Sequence, residues 1–205
     1  MSQKLPPLTK PRGPASKPIA LEDGTTMSDE PERRPYRLGA GEGRRLLAFG
    51  DLMILKSTTD ETNGRLFVME QHVPRHRHAP GRHVHAVDDQ AWFVIAGHGR
   101  FFVGDETLVA GPGDFIHGPH GIPHAFSADS DDLHVLVITT PAGLEGFFAE
   151  SGVDASAATH PPACLAEPAD DPAVAARYGV TALGPDPRWT PVPTSTPPSR
   201  QPSES

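Results

Sequence analysis

Glycine and proline punctuate the middle of this chain so closely that it can fold only as short strands. Trp92-Phe93-Val94-Ile95 and Arg100-Phe101-Phe102-Val103 are β-prone runs joined near Ala96-Gly97-His98-Gly99. Thr107-Leu108-Val109 follows the Gly104-Asp105 turn, and Phe115-Ile116 follows Gly111-Pro112-Gly113-Asp114. Turn signals that recur this often leave no room for helices of ordinary length and predict an all-β antiparallel barrel or jelly roll.

Histidines bracket that region. His83 and His85 lie two apart in an extended segment, so their side chains point to the same side. His124 follows about forty residues later, in Pro119-His120-Gly121-Ile122-Pro123-His124, and joins them only if the chain doubles back. Three imidazoles inside a barrel make a metal site. They leave coordination positions open for water and substrate, as a catalytic site requires. Imidazole nitrogen suits iron, manganese, nickel, cobalt, copper and zinc alike, so one divalent transition metal ion of unspecified identity is expected.

The spacing His83-x-His85, Gln90, Gly97, then Gly111 leading to Pro119-x-Gly121-x-x-His124 resembles the two motifs of the cupin superfamily. The run Thr139-Thr140-Pro141-Ala142-Gly143-Leu144-Glu145-Gly146-Phe147-Phe148 is similar to the tail of the single-domain cupins grouped with quercetin 2,3-dioxygenases. Ala175-Ala176-Arg177-Tyr178-Gly179-Val180 fits that subgroup too, as does the lead-in from Tyr36-Arg37-Leu38 to Glu42-Gly43-Arg44. The resemblance spans roughly Tyr36 to Pro185. It implies a cupin-type jelly-roll barrel, a metal held by His83, His85 and His124, and a homodimer.

In this resemblance the acidic ligand of the family falls at Gln90. An amide oxygen can coordinate a divalent ion, but it is neutral and cannot accept a proton near pH 7. The metal shell would then be more positive and favour substrates arriving as carboxylate or enolate. Strand alternation puts Gln90 on one face with Trp92 and Val94, and the family spacing turns that face inward. Asp89 points to the opposite face and, with Asp88, is expected in a solvated loop.

Among the other histidines, His76 and His78 are expected at the surface of the barrel mouth. His117 and His120 are candidates for a supporting partner or an alternative base, whereas His72, His98, His134 and His160 have no site context. Arg75, Arg77 and Arg82 form a basic cluster near the mouth, and Arg82 is a candidate for capturing an anionic substrate. Trp92, Phe101, Phe102, Phe115 and Phe126 belong mainly to the core, with Trp92, Phe101 and Phe126 expected to line an apolar pocket.

A net charge of -8 over 205 residues argues against nucleic acid or an anionic membrane as the main partner. The single cysteine, Cys164, excludes an internal disulfide framework. With no membrane-length apolar run and no secretory signal, a soluble cytoplasmic protein is the expectation. Residues 1–34 are rich in proline, lysine and serine and are expected to form a disordered tail. Met27-Ser28-Asp29-Glu30 has the look of a translation start, so the first 26 residues are expected to precede the native N-terminus. The barrel is placed at residues 35–150, a helical extension at 151–185, and a disordered proline- and serine-rich tail at 186–205. Within the extension and its approach, Leu144–Ser151 reads as a helix stopped by a left-handed Gly152, and a second helix runs from an acidic cap at Asp170-Asp171-Pro172 to Gly179.

The expected function is a metal-dependent, quercetin 2,3-dioxygenase-like oxygenase acting on an aromatic or enolic small molecule. Gln90 would serve as weak ligand or as hydrogen-bond donor to bound oxygen. The alternatives are a non-oxidative isomerase, cyclase or lyase of secondary metabolism, or a catalytically degenerate binding module.

Overall fold

A computed structural model describes residues 34–75, 81–158 and 171–190. The tail at residues 1–33, the loop carrying His76, Arg77 and His78, the segment with His160 and Cys164, and the residues beyond Thr190 lie outside the described residues.

Two antiparallel sheets face each other. The larger contains β1 (Arg44–Ala48), β2 (Asp51–Ser57), β3 (Phe67–Pro74), β5 (Asp89–Ala96), β8 (Phe115–Gly118), β10 (Asp132–Thr140) and β11 (Val153–Asp154). The smaller contains β4 (Gly81–His85), β6 (Gly99–Val103), β7 (Glu106–Ala110), β9 (His124–Ala128) and β12 (Val180–Pro185). Their orders are β11-β1-β2-β3-β10-β5-β8 and β12-β4-β9-β6-β7. From β4 to β10 the chain crosses between the sheets at every connection except β6–β7. That route is the jelly roll expected from the spacing of turns.

The strands are joined at Gly97 as expected but do not pair with each other: β5 bonds to β10 and β8, while β6 bonds to β7 and β9. Gly97 is a corner between sheets. Its φ is +77°, and a Cβ there would stand 2.1 Å from the carbonyl oxygen of Asp132. Only glycine suits this combination of left-handed backbone and close approach.

Strand alternation sorts side chains as the sequence implied. Along β5, Gln90, Trp92 and Val94 are buried, whereas Phe93 and Ile95 are exposed. Trp92, Val94 and Phe101 join Phe67, Met69, Leu133, Val135 and Val137 in one core between the sheets. Each fully buried large apolar side chain contributes about 1.5–3 kcal/mol relative to exposure.

Three helices sit outside this sandwich. The Asn63-Gly64 turn has both residues at positive φ, and it closes a single helical turn, α1 (Thr59–Thr62). Thr58 and Glu61 cap that turn reciprocally. Helix α2 (Glu145–Ser151) ends at Gly152, but this glycine is extended (φ -102°) and not left-handed. Its added Cβ would lie 2.7 Å from Phe148 O and 2.9 Å from Leu47 O, so close packing explains the glycine. Helix α3 (Pro172–Arg177) has Asp171 as N-cap, proline in its first turn and a left-handed Gly179 just beyond.

Among the described residues, the extension expected to be helical over 151–185 holds helix α3 and strands β11 and β12, and β12 completes the smaller sheet beside β4. Order continues past Pro185. Arg188 stacks over Phe102, binds the buried Asp186, and donates to the carbonyl of Glu106 at 2.9 Å. None of the helices is long and apolar enough to cross a membrane among the described residues.

Replacing Gly97 by alanine should destabilise the fold by about 2 kcal/mol or more, because the new Cβ meets backbone and the φ is strained. Urea unfolding followed by tryptophan fluorescence measures it. A midpoint equal to that of the parent would show that the corner relaxes freely.

Candidate metal centre

His83 on β4 and His124 on β9 are direct cross-strand partners. His85 follows two residues along β4, on the same face as His83. The three rings lie 4.6–5.1 Å apart, centroid to centroid, and one ligating atom from each falls within 4.8 Å of the others. His85 and His124 are almost fully buried, while His83 keeps partial access to solvent.

Each ring has an oxygen acceptor on its Nδ1 side. For His83 it is the Gly81 carbonyl at 3.0 Å, for His124 the Ile122 carbonyl at 3.1 Å, and for His85 the Asp88 carboxylate at 2.6 Å. Oxygens of this kind only accept, so each Nδ1 carries the proton and each Nε2 presents a lone pair. Second partners of this sort fix the tautomer and raise the basicity of a ligating imidazole. Asp88, expected in a solvated loop, is buried and takes this supporting part.

Gln90 reaches the same place from the opposite sheet. Its side-chain oxygen is 3.1 Å from His124 Nε2. With Nδ1 of His124 already the donor, this contact sets two electron-pair donors against each other. Such an approach is repulsive unless a cation lies between them or the amide turns to present its NH2. Two ligands about 2.1 Å from one ion at right angles are about 3.0 Å apart. The donor set thus fits a divalent transition ion: three neutral imidazoles and one neutral amide oxygen.

Electrostatics agree. Burial, followed by the neighbouring His85, pushes the His83 imidazole down to about 4. Burial, followed by His83 and His85, takes His124 down to about 2. Both rings are neutral at pH 7, and their lone pairs are available.

Of the other candidate residues, Trp92, Phe101 and Phe126 do come together. Trp92 meets His124 edge-on at 5.3 Å and lies 5.6 and 5.8 Å from Phe101 and Phe126, which stack on each other at 5.5 Å. Arg82 is not brought into this group. It alternates with His83 along β4, and its charge adds a small push to the Arg188 hydrogen bond that chiefly holds the Asp186 carboxyl below the usual carboxylate range. Arg75 engages Asp129 and Asp131 instead of the site. Asp89 accepts from the backbone and ring nitrogens of His120 at 2.9 and 2.7 Å, and lies near His117, all on the exposed side of β5. Sequence reasoning missed Asp88, although its place three residues after His85 was a usable signal.

Removing the Asp88 carboxylate (Asp88→Ala) should weaken binding of a divalent metal ion by about 10–100-fold, read by titrating metal-free protein. Unchanged affinity would remove Asp88 from the centre. The imidazole shifts also set a pH dependence. Because the folded-state values of His83 and His124 lie below the unfolded value of about 6.5, the unfolded chain takes up protons first as pH falls. Their contribution to stability is complete above pH 6.5 and is lost as pH falls towards about 4 and below. Melting temperatures of metal-free protein should therefore drop between pH 7 and pH 5, and His124→Gln should flatten that slope.

Comparison with known proteins finds similarity over these residues. The family model described as a cupin domain matches residues 69–140, which contain all three histidines and Gln90. Quercetin 2,3-dioxygenase of Bacillus subtilis is 26% identical over 118 residues, covering 58% of this chain and 35% of that protein. An uncharacterised protein of Streptomyces coelicolor is 38% identical over 53 residues, or 26% of this chain and 50% of that one. The chain thus spans about a third and a half of the lengths of these two relatives. Among solved structures, KdgF from Halomonas sp. is 21% identical, with a TM-score of 0.45 over 53% of this chain and 94% of that chain. The strands of the jelly roll carry the segment that matches the cupin-domain model, residues 69–140, and the similarity to a dioxygenase is distant.

Proposed function

We propose that His83, His85 and His124 hold a divalent transition metal ion, with the Gln90 side-chain oxygen as a weak fourth ligand, in an oxygenase acting on an acidic enol or aromatic small molecule. The observation that carries this reading is the set of three imidazoles, each with Nδ1 anchored on an oxygen, facing a neutral amide across the barrel. Kinship with a quercetin 2,3-dioxygenase supports the oxygenase class. When bound, such an ion supplies positive charge that stabilises an enolate and redox chemistry that lets dioxygen react with it.

What the residues do follows from their chemistry. His85 is held by Asp88, so that carboxylate is committed to orienting a ring and is not a base for substrate. Gln90 cannot take a proton near neutral pH, although its NH2 group can donate to an anionic oxygen. No carboxylate joins the three histidines as a ligand candidate among the described residues. A substrate proton must therefore be lost to water or to a neighbouring substrate group, which selects compounds already acidic at pH 7. The Trp92–Phe101–Phe126 wall offers an aromatic ring a stacking surface. The indole N–H of Trp92, buried with no hydrogen-bond partner, is a donor that a bound carbonyl would satisfy.

The missing base also favours a second reading, in which the ion acts only as a Lewis acid in an isomerase, cyclase or lyase. Turnover under argon with zinc as the resident ion would select it.

Oxygen uptake by metal-loaded protein separates the two. The oxygenase should consume dioxygen with acidic 1,3-diketones and barely react with flavonols, which need a base. Gln90→Glu should then raise flavonol turnover by about 100-fold, the usual scale of general-base assistance. No uptake with either class, by parent or variant, would end the oxygenase assignment.

A further inference from the structure

On the outer face of the larger sheet, away from the barrel interior, β3 and β10 bring together a second group of metal-ligating side chains. Glu70 and His72 lie two apart on β3, and His134 on β10 is the direct partner of His72. Along both strands these residues alternate with fully buried core positions, among them Val73, Leu133 and Val135, so they project to the side opposite the core.

The two imidazoles stack at 4.0 Å with 15° between their planes. One ligating atom from each of Glu70, His72 and His134 lies within 4.8 Å of the others. The other polar atoms nearby are partly engaged. The Asp132 carboxylate accepts from His72 Nδ1 at 3.2 Å, which leaves Nε2 as the ring nitrogen it does not engage. Lys56 binds Glu70 through Oε1 at 3.0 Å, leaving Oε2. His134 Nε2 is buried without a well-formed hydrogen bond and faces Glu70 Oε2 at 3.5 Å. Burial, then the neighbouring His72, lowers the affinity of the His134 ring for a proton, so the ring is neutral near pH 7.

We propose that Glu70, His72 and His134 form a second metal site, taking a borderline divalent transition cation such as zinc and clamping β3 to β10. Two imidazole nitrogens and one carboxylate oxygen suit such an ion and disfavour calcium or magnesium, which require oxygen ligands throughout. The side chains of His72, Glu70 and His134 keep 15%, 17% and 20% of their surface exposed, so an ion there would be largely enclosed by protein. The site does not depend on the barrel histidines, since it shares no residue with them.

Calorimetric titration of metal-free, full-length protein with zinc chloride tests this, with metal content read after gel filtration. Two equivalents per chain are expected. His72→Gln/His134→Gln should bind one fewer, His124→Ala should lose the other, and combining them should abolish binding. Circular dichroism checks that the double variant folds. Should it not, Glu70→Gln, which keeps both rings, should weaken one class of site by about tenfold. A parent with one equivalent that is lost in His124→Ala, or the same count and affinities in the outer-face variants as in the parent, would overturn the second site. Loss of zinc only from His124→Ala would leave the barrel centre standing, so the two assignments fail separately.

Discussion

The pairing of His83 with His124 across neighbouring antiparallel strands is the contact around which the centre is built. Register between β4 and β9 sets the two rings face to edge, and alternation along β4 delivers His85 to the same side. A slip of one residue in either strand would turn its histidines outward and dissolve the group. The strands themselves are held by the rest of the smaller sheet, with β6 on one side and β12 on the other. Gln90 arrives by a separate route, from a strand locked between β10 and β8 in the opposite sheet.

Concentrating imidazoles in a buried place has an electrostatic cost, and the protein meets it by keeping the rings neutral. Each Nδ1 faces an oxygen acceptor, and burial discourages a second proton on His83 and His124. On the outer face, His72 and His134 stack beside Glu70, with Lys56 and Asp132 at the margins of the group.

Much of this was legible in the residues. The turn chemistry gave short strands and an all-β fold, and period-two alternation correctly put Gln90, Trp92 and Val94 on one buried face. Alternation put His83 and His85 on one side, and the resemblance to the cupin motifs brought His124 to them. What could not be read was partnership between distant strands. His72 and His134 are 62 positions apart and look unrelated until β3 lies against β10 (134 minus 72). The supporting role of Asp88 was hidden for a different reason: an aspartate beside another aspartate after a histidine reads as a solvated turn, and only burial distinguishes the two. Gly97 was legible only as a turn, because a positive-φ glycine serves equally well at a hairpin or at a corner between sheets. Pairing decides which, and pairing is non-local.

The β12–β4 pairing described above has a bearing on how the protein is made. The strand carrying His83 and His85 is flanked on one edge by residues 180–185, near the end of the described chain, and on the other by β9. β12 is translated after β4 and β9, so the edge of β4 opposite β9 gains its backbone partner last among the described strands of the smaller sheet, and the register of the histidine strand is then held from both sides.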